Sequence, residues 1–236
     1  MSTIQQQEIL FRKSTINIIT KADSLRQLWN TYQQNTLALL SSLINLKRQE
    51  NLICHKENIK RQLEEIYHVD SNRLLYKQTI RFDLILSKLK IQMDKWYDII
   101  EQWKQLEEEA QRNLNKATQI SLPLIHNNIN DNNENENNQQ KTTTVSLSTH
   151  SLIQIASISP LEAYQWIQQL LELYKAQWHC KRMLFLSLQS VDSENDLADI
   201  LTQWNNETYL KNQILFQDII DRLNLYKQVK RNLESV

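Results

Sequence analysis

Glycine is absent from all 236 residues. At the usual share of about 7%, roughly sixteen would be expected. With a Cβ on every residue, the chain is expected to lack every device that needs a positive-φ or Cβ-free backbone: no phosphate-cradling loop, no dinucleotide fingerprint and no nucleophile elbow. Tight two-residue hairpins also favour glycine, so a many-stranded sheet or barrel is not expected. Net charge is lacking too: 27 Lys and Arg balance 27 Asp and Glu. Affinity for nucleic acid grows with the number of phosphates neutralised, so direct nucleic-acid binding is not expected. No stretch reaches the roughly 18 apolar residues of a membrane span, and the first fourteen residues lack the apolar core of a signal peptide. A cytosolic or nuclear chain without a membrane partner is the resulting expectation. Only two cysteines are present, Cys54 and Cys180, which fits a reducing compartment better than a disulfide framework. The sequon Asn206-Glu207-Thr208 then reads as chance.

What is present is helical periodicity. Leu25, Trp29, Tyr32, Thr36, Leu39, Leu43 and Leu46 recur at steps of four and three, forming one seam of a helix. The phase slips near Glu50, and Leu52, Ile59, Leu63 and Ile66 carry a shifted stripe to His68, which predicts altered winding without a helix end. Asp70 and Ser71 offer N-cap oxygens for a second seam, from Leu75 through Phe82, Leu89, Met93, Trp96 and Trp103 to Leu114. Two helices of this length joined by a short turn fold back on each other. The expected fold is all-α: a long, coiled-coil-like antiparallel hairpin over 21–120, preceded by a partly helical tail (1–20). Residues 121–158 are rich in Asn, Gln, Ser and Thr and are expected to form a disordered linker. In the segment 159–236, Ser159, Pro160 and Glu162 give a capping-box start to a helix reaching Ser190. Its apolar arc of roughly 200° is about twice that of a helix resting on one surface. Asp192 or Ser193 caps a short helix, and a last one follows from Asn206. Together these three helices are expected to pack on the hairpin and complete an elongated bundle.

Few constellations point to chemistry. Cys54-His55 and His179-Cys180 are adjacent pairs, which diverge by about 100° on a helix and suit one tetrahedral ion poorly. No metal or other cofactor is expected. Glu107, Glu108 and Glu109 read as a solvated helix face. No Ser, Thr, Cys or His sits on a sharp turn, so no catalytic residue is assigned and an enzyme is not expected. The helical wheel places Lys181 within the apolar arc and Arg182 at its edge. Either they snorkel over the bundle or they mark a protein-binding edge. Arg182-Met183-Leu184-Phe185 has the Arg-x-Leu-apolar pattern of cyclin-docking peptides, as do Arg26-Gln27-Leu28-Trp29 and Arg73-Leu74-Leu75-Tyr76, but docking peptides bind extended and these strings lie in expected helices. Ser159-Pro160 is a minimal site for proline-directed kinases, at a helix N-terminus that favours phosphate.

Leu170-Leu171-Glu172-Leu173-Tyr174-Lys175, the pair Lys181-Arg182, Asp196-Leu197, and Trp204 followed by Tyr209 resemble the corresponding region of the cyclin-dependent kinase 2-interacting protein family. Trp29 and Ile44-Asn45-Leu46-Lys47 resemble that family's opening helix. The resemblance implies a nuclear, non-catalytic helical adaptor. Its partners would be cyclin-dependent kinase and cyclin complexes, replication or checkpoint factors, and subunits of a AAA ATPase assembly. On this reading, protein contacts are expected at Tyr174, Trp178, Lys181, Arg182, Trp204 and Tyr209, with Ser159 a phosphorylation candidate. The rival is a structural coiled-coil spacer or tether of spectrin-like type.

Overall fold

The computed structural model describes residues 3–128, 158–191, 193–210 and 214–234. Among these the chain is all-α, with no strand. The helices are α1 (Thr3–His55), α2 (Glu57–Glu65), α3 (Ser71–Asn128), α4 (Pro160–Ser187), α5 (Glu194–Asn205) and α6 (Ile214–Glu234), with a 3-10 turn at Leu188–Ser190. The chain divides into two compact units. The first comprises the described residues within 1–24, 103–171 and 212–236; the second comprises those within 25–102 and 172–211.

In the first unit, α1 and α3 run antiparallel. Asn113 Nδ2 donates to Thr15 Oγ1 at 3.0 Å inside the core, and Lys21 pairs with Glu109 at 2.8 Å. Helix α1 begins at Thr3, and Thr15, Ile18 and Ile19 are buried, so the segment read as a partly helical tail supplies core. At the start of α4 the capping box forms as its sequence predicts. The Glu162 amide donates to Ser159 Oγ at 3.1 Å, and the Ser159 amide donates back to the Glu162 carboxylate at 3.1 Å. Helix α6 meets α4 through Arg222, which binds Glu162 at 2.8 Å and lies 5.5 Å from the Trp166 ring. The Arg222 hydrogen bond is the main reason that the Glu162 carboxyl titrates below its usual range.

In the second unit the same two helices again run antiparallel, with Trp29 against Trp96 and Gln49 bonded to Gln78. Part of their apolar seams closes within one chain: Leu25, Trp29, Leu40 and Leu43 on α1 and Leu89, Met93 and Trp96 on α3 are buried, whereas Leu39, Leu46, Leu75, Phe82 and Leu86 are half-buried. Onto this pair pack α4, through Tyr174 against Trp29, and α5, through Trp204 against Trp96. Asp70 caps α3 by accepting from the Asn72 amide at 2.9 Å, and Ser193 caps α5 by accepting from the Asp196 amide at 3.1 Å.

Four boundaries differ from the sequence reading. The first helix does not run on to His68; it ends at His55, with Lys56 extended (φ −117°, ψ 91°) before α2. After the phase slip, α2 has no fully buried residue and only Ile59, Lys60 and Leu63 half-buried, so little packing energy holds the two pieces in one line. The turn that follows has a left-handed residue despite the absence of glycine: His68 has φ 52°, and across it the Val69 amide donates to the Leu63 carbonyl. Helix α3 continues through 121–128, where the linker was expected to have begun, and Ile158 at the other end is buried. The remainder of that expectation, 129–157, lies outside the described residues. The last helix starts at Ile214 rather than near Asn206, because residues 206–210 form an irregular turn committed to the contacts described next.

Candidate functional site

The second unit is organised around a buried lysine. Lys181 is on α4, one helical turn beyond Gln177, and its side chain is fully shielded from solvent. Its ammonium donates to Gln33 Oε1 on α1 and to the Trp204 carbonyl at 3.1 Å, and it faces Glu207 Oε1 at 3.3 Å. Three donors therefore meet three acceptors. The Trp96 and Trp204 rings lie 4.9 and 5.3 Å away and supply cation-π faces. Removal from water pushes the Lys181 pKa down from 10.5 to about 8, and the charge of Glu207 works against that shift.

The surrounding groups are tied to one another as well. Trp29 Nε1 donates to Glu207 Oε1 at 2.8 Å, Gln33 Nε2 to the Trp204 carbonyl at 3.1 Å, and Trp204 Nε1 to Thr36 Oγ1 at 3.1 Å. The end of α5 leaves carbonyls without helical partners, and the Trp204 carbonyl is satisfied by Gln33 and Lys181. The turn beyond it is pinned at two points. Glu207 reaches inward to Lys181 and Trp29, and the Tyr209 amide donates to Gln177 Oε1 at 3.2 Å.

Outside this network lies an aromatic and basic surface. Tyr97 on α3 packs 5.6 Å from Trp178, and the exposed Arg182 guanidinium sits 5.6 Å from the same ring. Trp178 is half-buried, and its indole N–H has no partner among the described residues. Tyr209 is exposed beside α4.

The residues singled out from the sequence thus divide into two groups. Tyr174, Lys181 and Trp204 are interior, and neither alternative for Lys181 describes its place: it does not snorkel to solvent and it is not at an edge. Trp178, Arg182 and Tyr209 reach the surface. The sequence reading missed Gln33, Gln177 and Glu207 as partners. Gln33 follows the seam residue Tyr32, but its contact lies 148 residues away, where periodicity carries no signal. Ser159 is exposed, and its hydroxyl lies 3.2 Å from the Glu162 carboxylate, so a phosphate there would meet that negative charge as well as the helix N-terminus. Cys54 is exposed and Cys180 half-buried, both free. No group of three metal-ligating side chains occurs among the described residues.

A cleft of about 180 Å³ elsewhere in the unit is lined by Lys47, Glu50, Gln78, Phe82 and Val191. It falls below the roughly 300 Å³ of small-molecule sites, and the Lys47–Glu50 ion pair, at 3.1 Å, belongs to its wall.

Compared with known proteins, the chain matches no family model and no curated protein.

Proposed function

We propose that the chain is a non-catalytic helical adaptor, a subunit of a nuclear complex in cell-cycle, replication or checkpoint signalling or in a AAA ATPase assembly, as its resemblance to the cyclin-dependent kinase 2-interacting protein family implies. The observation that carries the reading is the cluster of Tyr97, Trp178 and Arg182 at the surface, with the exposed Tyr209 held through its amide to Gln177 of the same helix as Trp178 and Arg182. Exposed Tyr and Arg around a half-buried Trp are the residue types that dominate binding energy at protein interfaces. A lysine with a depressed pKa can serve carbonyl chemistry, but Lys181 has all three donors engaged and no exposure, which suits support of the surface rather than reaction.

In the spacer reading both halves of the chain dimerise, so a second chain would cover the helical seams. In the second unit, Trp29, Leu43, Met93 and Trp96 are covered within one chain, which favours the adaptor. The test is capture of nuclear proteins by the intact chain and by Arg182→Glu/Tyr209→Ala, with helical content checked by circular dichroism. Kinase–cyclin, replication, checkpoint or AAA ATPase components are expected with the intact chain and lost with the variant. Equal recovery would overturn the site, and recovery of cytoskeletal proteins alone would favour the spacer.

A further inference from the structure

The outer face of α3 in the second unit carries large apolar side chains where a bundle helix ordinarily carries polar ones. Tyr76, Ile80, Leu84 and Ile91 are 67%, 50%, 52% and 54% exposed. At 100° per residue they fall within an arc of about 80°, on the side opposite the buried Leu89, Met93 and Trp96. Ser87, also exposed, is the one polar residue in this arc between Leu84 and Ile91; single exposed apolar residues need no explanation, whereas an aligned row marks an interaction face.

A basic row adjoins this stripe. Lys77, Arg81, Lys88 and Lys95 are all exposed and occupy an arc of about 40° along one flank. Lys95 lies 5.6 Å from the Tyr32 ring. Lys77, Arg81 and Lys88 have no carboxylate partner among the described residues. Asp94 and Asp98, also exposed, continue the line of the stripe past Ile91.

We propose that this face docks an acidic amphipathic helix of a partner protein. Aliphatic anchors at three- and four-residue spacing lie on Tyr76, Ile80, Leu84 and Ile91, and a flanking row of Glu or Asp meets Lys77, Arg81 and Lys88. The inference extends the adaptor reading to a second surface and rests on it. Tyr76 to Ile91 spans about 22 Å, some four helical turns, which matches a partner helix of ordinary length. Helix-on-helix recognition uses this division of labour, with apolar anchors giving affinity and flanking charges choosing the partner. A second copy paired antiparallel would set the basic row against itself. An anionic bilayer, unlike a helix that ends at Ile91, would also lie over Asp94 and Asp98 on the stripe's own line and be repelled by them.

The test uses the full chain and two labelled designed peptides of about 18 residues, close to the length of the stripe. Both carry Leu and Ile at the seam positions; one has Glu along the flank and the other Lys. Fluorescence anisotropy is expected to give at least tenfold tighter binding of the Glu peptide. Lys77→Glu/Arg81→Glu/Lys88→Glu should reverse that order, and Ile80→Asp/Leu84→Asp should abolish binding of both peptides with the circular dichroism spectrum unchanged. Arg182→Glu/Tyr209→Ala should leave peptide binding intact, so a peptide failure beside normal capture through Arg182 and Tyr209 overturns this inference alone. Equal affinity for the two peptides, or none, overturns it. So does a light-scattering mass of twice 28.2 kDa that Leu84→Asp halves, or binding to phosphatidylserine vesicles that the same substitution removes.

Discussion

Burial and pairing pull in opposite directions at Lys181. Its pKa of about 8 in the fold lies below 10.5, so between those values the unfolded chain binds more protons than the folded one. The contribution of Lys181 to stability therefore rises with pH across that window and is lost as pH falls toward 8. A displacement of this size corresponds to about 3 kcal/mol at most. Urea unfolding of the intact chain and of Lys181→Met at pH 7 and pH 9.5 checks this: the intact chain should gain stability relative to the variant on going to the higher pH, and an unchanged difference would contradict it. Glu207 holds the Lys181 pKa up, so Glu207→Gln should lower it further, measured by a carbon-13 titration of the lysine ε-carbon. The wheel position of Lys181 inside an apolar arc was legible in the sequence and marked it as unusual. Its acceptors were not, because Gln33, Trp204 and Glu207 come from distant segments that only the packed helices bring together.

Among the helices, the start signals were readable because a cap is a local hydrogen-bond pattern. Ser159 with Glu162, Asp70 and Ser193 all act at the positions their chemistry predicts. Ser159→Ala should cost about 1 kcal/mol in chemical denaturation, whereas Ser159→Asn, which keeps a capping oxygen, should cost less. The stop signals were less readable. Lys56 has no helix-breaking side chain, and the end of α1 reflects the loss of a buried face beyond it. The turn at His68 runs against the expectation from a glycine-free chain, since a left-handed position is present and occupied by one of the residue types that tolerate it. His68→Val should destabilise the fold by about 1–2 kcal/mol, because a β-branched side chain fits that conformation poorly. His68→Gly should be neutral or stabilising, and equal effects of the two substitutions would contradict the account.

For the whole molecule, absence of glycine and two long heptad-like seams were enough to specify an all-α fold with antiparallel α1 and α3, as both units have. The allocation of surface was not legible, since exposure of Tyr76, Ile80, Leu84 and Ile91 depends on which face of α3 the other helices cover. Function as an adaptor requires that the interior stay closed while the surface is used. The most direct measurement is oxidative footprinting with mass spectrometry on the chain alone and bound to whichever protein it captures from a nuclear extract. Labelling of Trp178 and Tyr209 should fall on complex formation, while Trp29, Trp96 and Trp204 remain protected in both states. Unchanged labelling of Trp178 and Tyr209, or a loss of protection at Trp204 on binding, would contradict the account.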